Sequence, residues 1–427
     1  MTRNDSRLDW FRTARFGLFV HYGPYSLAAR HEWVMNYEEM PVADYERYAR
    51  HFDPDLFDAP ALARAAREAG AQYVVLTTKH HDGYGLWDSR VSDYTAFATV
   101  GRDLVEEFVT AMRAEGLRVG LYHSLLDWHH PDYTIDRHHP RRGDADWQEQ
   151  NATKDFSRYR EYLHAQVREL LTGYGQIDYL FFDFTEPAVE NGLPGKSADD
   201  WHGAELLALC RELQPDMIVN DRLGVPADLV TPEQYQPTEA LTLDGRPVAW
   251  EACQTLNGSW GYHRDNLDYK SPELLVGMLA GAVANDGNLL LNIGPTGRGE
   301  IAPRDAATLE SVGEWVRRHE RAIRGAGAST FTPPSGALYT QRGDRLYLHM
   351  QVWPFGMLHL PELAGKVELA RFVHDGSEVR FTEIDEAQEA ITMTPAGTPP
   401  GTLTLLLPAQ RPDVATPVIE LILTSAP

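Results

Sequence analysis

Cysteine is scarce: the 427-residue chain has two, Cys210 and Cys253. So few, set so far apart, exclude a disulfide framework and a zinc-ligand set, and they read as buried thiols. Basic residues are outnumbered, 39 Lys and Arg against 62 Asp and Glu, for a formal charge of −23. A surface of that sign repels a phosphate backbone, so no nucleic-acid partner is expected. Long uncharged apolar runs are missing too, which excludes a helical membrane span and with it a membrane partner. The N-terminal stretch up to Phe16 mixes Arg with Asp and carries neither an apolar core nor a small-residue cleavage site. A cytoplasmic location follows as an expectation.

What the chain does contain is alternation. From residue 16 to about residue 320, short runs rich in β-branched and aromatic residues alternate with longer stretches of helical periodicity. Runs at 16–21, 73–78, 118–123, 179–183, 218–221 and 288–293 read as strands, and 60–69 and 103–114 as helices between them. Repeated βα units predict an α/β fold, a (β/α)8-like TIM barrel. Past Arg324-Gly325-Ala326-Gly327 the pattern changes to alternating strands at 337–340, 345–351, 367–372 and 402–407. The expected organisation is therefore a catalytic barrel over 1–326 and a C-terminal antiparallel β-sandwich over 327–427. The Pro/Gly/Thr-rich stretch 394–401 reads as an exposed loop.

Chemically conspicuous residues cluster at the C-terminal ends of the barrel strands, where such barrels build active sites. Strand 177–183 is mostly apolar until it closes on Asp183, flanked by Phe181 and Phe184. A helix cap would explain a carboxylate there as readily as catalysis, but an apolar wall beside it suits binding of a sugar face. The stretch 74–83, VVLTTKHHDG, places Lys79, His80, His81 and Asp82 after a strand. Adjacent histidines at a strand end point in different directions, which argues against a metal and for neutral imidazoles that hydrogen-bond hydroxyls. His21 ends the first strand, Glu32 and Trp33 follow it, and Arg222 follows the strand at 218–221.

FGLFVHYG, HEWVMN, TTKHHDGY, GLYHSLLDW, FFDF, VNDR, TPEQY, WEACQTLNGSWGY and GNLLLNIGPTGRGEI occur in that order along nearly the whole chain. Together they resemble the family-29 glycoside hydrolases, the α-L-fucosidases. The resemblance implies a retaining exo-glycosidase that removes terminal α-L-fucose from oligosaccharides or glycoconjugates through a covalent fucosyl-enzyme, with no cofactor. It makes Asp183 the nucleophile and places His21, Glu32, Trp33, His80, His81, Arg222 and Trp260 around the fucose. Phe181 stands where relatives carry tryptophan, and His123 where they carry tyrosine; both are expected to touch the sugar, with Trp260, Phe181 and Tyr262 facing its methyl group. The general acid/base falls to Glu233, at the family's spacing from Arg222, with Glu251, beside Trp250, as the second candidate. A retaining glycosidase for another sugar and a non-catalytic carbohydrate-binding protein are the alternative readings.

Overall fold

A computed structural model of the chain describes residues 6–383 and 401–425. Eight strands form one parallel sheet: β1 Phe16–Val20, β2 Tyr73–Lys79, β3 Arg118–Ser124, β4 Tyr179–Asp183, β5 Ile218–Val219, β6 Leu229–Val230, β7 Ala249–Thr255 and β8 Asn288–Ile293. Their order is β5-β4-β3-β2-β1-β8-β7-β6, and a parallel bridge between Asn220 and Leu229 joins the two outer strands into a ring. The helices between strands begin where the sequence supplies caps: the Asp103 carboxylate accepts the Glu106 N–H at 2.8 Å, and Ser271 caps a helix whose first residue is Pro272.

β6 and β7 were not anticipated. β6 has only two residues, and β7 interrupts its apolar run with Glu251, Cys253 and Gln254. Glu251 and Cys253 face the barrel interior, where a closed ring tolerates polar groups that partner one another, so the strand lacks the continuous apolar signature of a buried parallel strand. The interior is filled by Phe19, Tyr73, Val75, Tyr122, Tyr179, Phe181 and Leu290, and the helix Asp9–Ala14 plugs its lower end with Phe11. Gly17 makes room for that filling, because a Cβ there would sit 2.3 Å from the Tyr73 ring.

Beyond the last barrel helix, Pro303–His319, the chain turns antiparallel. Strands β9 Ala337–Arg342, β10 Arg345–Met350, β11 Met357–Leu360, β12 Val367–Phe372, β13 Phe381–Glu383, β14 Leu403–Leu406 and β15 Val418–Leu423 make two sheets, β9-β10-β15-β12 and β11-β14-β13. Leu346, Leu348, Leu403, Leu405, Ile419 and Leu421 form the core between them. The sandwich is tied to the barrel by Trp315 Nε1 donating to the Thr416 carbonyl at 2.8 Å and Thr340 Oγ1 donating to the Ala322 carbonyl at 2.7 Å. The stretch 394–400 lies outside the described residues. Among the described residues no helix is long and apolar enough to cross a membrane.

Candidate active site

The C-terminal ends of the strands surround a cavity of about 380 Å³. Strand alternation decides which side chains enter it. On β4, Leu180 and Phe182 pack outward against helices, so Phe181 and Asp183 face inward. Immediately after Asp183 the strand ends at Phe184, whose φ of 75° is unusual for a bulky residue. The Phe184 ring lies against His81 and Trp33. Asp183 caps no helix. Its Oδ2 accepts from the Tyr122 hydroxyl at 2.8 Å and its Oδ1 from Arg222 Nη1 at 2.7 Å. Burial raises its pKa above the ordinary carboxylate range; the Arg222 charge and the hydrogen bonds of Arg222 and Tyr122 oppose that rise.

Arg222, in the turn after β5, is the hub. Nη1 also donates to Glu233 Oε2 at 2.5 Å, Nε donates to Thr231 Oγ1, and Nη2 donates to the Thr231 carbonyl and the Cys253 sulfur. Those contacts engage all five N–H groups of the guanidinium. Of the two roles open to an arginine at this strand end, holding a hydroxyl or orienting a carboxylate, the contacts here are those of the second: its donors meet protein groups, and it holds two carboxylates. Two bonds of 2.7 and 2.5 Å onto one nitrogen leave Asp183 Oδ1 and Glu233 Oε2 no more than about 5.2 Å apart, the sum of the two. Glu233 reaches this place because the loop after β6 stays laddered to β7. Gln234 N donates to the Cys253 carbonyl, and Cys253 N to the Pro232 carbonyl, both at 3.0 Å.

Neutral imidazoles also line the cavity. Asn292 Nδ2 donates to the Trp260 carbonyl, so Asn292 Oδ1 accepts from His21 Nδ1, at 2.6 Å. That tautomer leaves His21 Nε2 as an acceptor, and burial lowers its pKa to about 3. Likewise Ser124 Oγ donates to the Leu126 carbonyl and therefore accepts from His81 Nδ1, leaving His81 Nε2 4.0 Å from Asp183 Oδ2. Burial also holds His80 and His81 well below the usual histidine range. Glu32 is buried, with Oε2 accepting the Trp260 and Gly261 N–H groups, and burial raises its carboxyl to about 8. Trp33 stands against His81, Trp128 and Phe184, and Trp260 against His21 and Phe19.

Two expected site residues lie elsewhere. His123 faces out of the barrel, bonded through Nδ1 to Thr78 Oγ1 and adjoining Trp87, because on β3 it has the opposite parity to Tyr122. Glu251 faces inward but one layer below the floor residue Cys253, between the hydroxyls of Tyr73 and Tyr179, and it is fully buried. Tyr262 does not line the cavity, whereas Tyr37, Tyr122, His138, Gln234 and Cys253, none of them anticipated, do. Tyr122 was readable from alternation alone, one residue before the outward-facing His123; Tyr37 ends a four-residue helix and His138 sits in a turn, with no such signal. The dense motif after β2 is accounted for in part by packing: Asp82 accepts from Tyr45, and Lys79 pairs with Asp127 at 3.3 Å, both fully buried.

Comparison with known proteins agrees with this arrangement. A model of the α-L-fucosidase family matches residues 2–321. The tissue α-L-fucosidase of Bos taurus is 30% identical over 378 residues, covering 82% of this chain and 76% of that protein. Among solved structures, α-L-fucosidase isoenzyme 1 from Paenibacillus thiaminolyticus is 42% identical with a TM-score of 0.91, covering 98% of this chain and 99% of that one. A GH29 α-L-fucosidase from Bacteroides thetaiotaomicron, trapped as a covalent intermediate with 2-fluoro-fucosyl fluoride, is 26% identical with a TM-score of 0.83 over 99% of this chain and 97% of that one. The chain belongs to the α-L-fucosidases of glycoside hydrolase family 29, hydrolases that act with retention through a covalent fucosyl-enzyme.

Proposed function

We propose that Asp183 is the nucleophile and Glu233 the general acid/base of this reaction, on α-L-fucose at the end of an oligosaccharide or glycoconjugate. The observation that carries the assignment is the shared Arg222 nitrogen, which keeps the two carboxylate oxygens within about 5.2 Å. Retaining glycosidases place their carboxyl pair about 5–5.5 Å apart, close enough for direct attack, whereas inverting enzymes leave room for a water between them. Glu251 is a poor acid/base, since it lies under the cavity floor with both oxygens held by tyrosines.

In this reading Asp183 Oδ attacks the anomeric carbon while protonated Glu233 gives its proton to the departing oxygen. Glu233 then takes a proton from water, which displaces Asp183 and releases fucose with its configuration retained. His21 Nε2 accepts a hydroxyl proton, and Glu32, His80, His81 and Trp33 bind the remaining hydroxyls. Phe181, packed on Phe19 and Tyr122, and Trp260 give the apolar contact for the C6 methyl. Hydroxyl recognition of this kind rejects sugars with misplaced groups far more strongly than an apolar pocket rejects a change of size.

The test is azide rescue on an aryl α-L-fucoside. Asp183→Gly should lose nearly all turnover and, with azide, yield the inverted β-fucosyl azide. Glu233→Ala should yield the retained α-fucosyl azide. Retained product from Glu251→Ala in place of Glu233→Ala would transfer the acid/base role to Glu251.

A further inference from the structure

A second opening, of about 730 Å³, runs between the barrel helix Pro272–Ala284 and the β-sandwich. One wall is the helix face Leu274, Gly277, Met278, Gly281, ending at Asn285. These positions recur at helical spacing and span about 16 Å of helix length, longer than one sugar ring. Gly277 and Gly281 leave that wall bare: a Cβ at Gly277 would meet nothing within 4 Å, and one at Gly281 would make only ordinary contact with Leu338. The other wall carries Trp353, whose ring stacks on Phe372 and whose N–H is tied to the Pro408 carbonyl. With one face covered and its only donor engaged, the indole offers the groove an apolar face.

The upper end of the groove is built by Gln236, Pro237 and Thr238, on the loop that carries Glu233. Gln234 lines the active-site cavity and Gln236 lines the groove. Two residues of chain span at most about 7 Å, so the two openings adjoin across the exposed Tyr235. Gln236 donates through Nε2 to the Met278 carbonyl, while its Oε1 has no protein partner. An aromatic face beside amide side chains, Gln236 and Gln351, and the Arg411 guanidinium is the lining that suits a neutral polyhydroxylated ligand: apolar ring faces stack and hydroxyls bond to amides.

We infer that this groove is a secondary glycan-binding site that holds the part of the substrate remote from the fucose, with Trp353 as its platform. The inference rests on the fucosidase reading for the identity of the substrate. It makes the sandwich part of substrate recognition for long glycans and leaves small fucosides indifferent to it.

The experiment compares wild type, Trp353→Ala and Gly277→Leu on three substrates: an aryl α-L-fucoside, a fucosyl disaccharide and a fucosylated oligosaccharide of five or more sugars. Gly277→Leu fills the groove and favours the helix that carries it, so a folding defect is not expected. Both variants should match wild type on the two small substrates and lose roughly fivefold in kcat/KM on the long one, through KM. The unfucosylated oligosaccharide alone should change the tryptophan fluorescence of wild type and of Gly277→Leu less or not at all. Equal kcat/KM for all three proteins on the long substrate would overturn the inference. So would a wild-type oligomer in light scattering that Gly277→Leu dissociates, because the groove would then be an interface between copies. Failure of the fucosidase reading is distinct: wild type would leave the aryl fucoside intact, while the oligosaccharide titration still reports on the groove.

Discussion

Replacing Tyr122 by phenylalanine removes one oxygen and keeps the ring that packs against Phe19, His80 and Phe181. The lost atom is the donor to Asp183 Oδ2, 2.8 Å away in a fully buried setting. A hydrogen bond to a charged group contributes about 1.5–3 kcal/mol, so kcat/KM on an aryl fucoside should fall by roughly tenfold to 150-fold. The pH profile supplies the sharper readout. Burial pushes the Asp183 carboxyl up and the Tyr122 bond opposes it, so removing the bond lets the pKa rise further. Because attack needs the ionised carboxylate, the acid limb of kcat/KM should move to higher pH while the basic limb stays in place. Thermal unfolding of the variant separates this from a general loss of structure. An acid limb and a kcat/KM both within twofold of wild type would refute the argument that Tyr122 stabilises the attacking carboxylate.

Arg222→Lys should cost roughly 10- to 100-fold in kcat/KM on the same substrate, because an ammonium cannot reproduce the planar fork that holds Asp183, Glu233 and Thr231 together. His123→Ala should leave KM for the aryl fucoside unchanged and lower unfolding stability by about 1–3 kcal/mol, since the ring is buried outside the cavity and bonded to Thr78. Glu251→Gln should keep turnover and alter the pH dependence of stability. Burial raises the Glu251 carboxyl from 4.5 to about 7, so its contribution is fully present below pH 4.5 and is lost as pH rises through about 7. The glutamine variant, uncharged throughout, should therefore gain on wild type in denaturation midpoint between about pH 5 and pH 8.

Much of the barrel was legible because its signals are local. The run 73–78 is β-branched or aromatic at every position but Leu76, and the helix opening at Asp103 announces itself by its cap. β6 and β7 were not, since a two-residue strand carries too little pattern and β7 presents a carboxylate to the barrel interior. The same asymmetry runs through the site. Asp183 ends a strand, and His21 and His80 each directly follow one, so they could be placed by that fact, whereas His123 lies one residue from the inward-facing Tyr122, which in a strand is a change of face.

By itself, the sequence determined which chemistry is present: a family's motifs in order, and carboxylates and imidazoles at strand ends. Only the tertiary structure decided which of those groups meet. Spacing from Arg222 ranked Glu233 ahead of Glu251 but could not place either one against Asp183. Laddering of the Glu233 loop to β7 brings the first onto the nitrogen that holds Asp183, and the parity and depth of β7 leave the second beneath the floor. The reason is geometric: residue type and period are properties of neighbours in the chain, while the few ångströms between two carboxylates depend on strands closed into a ring.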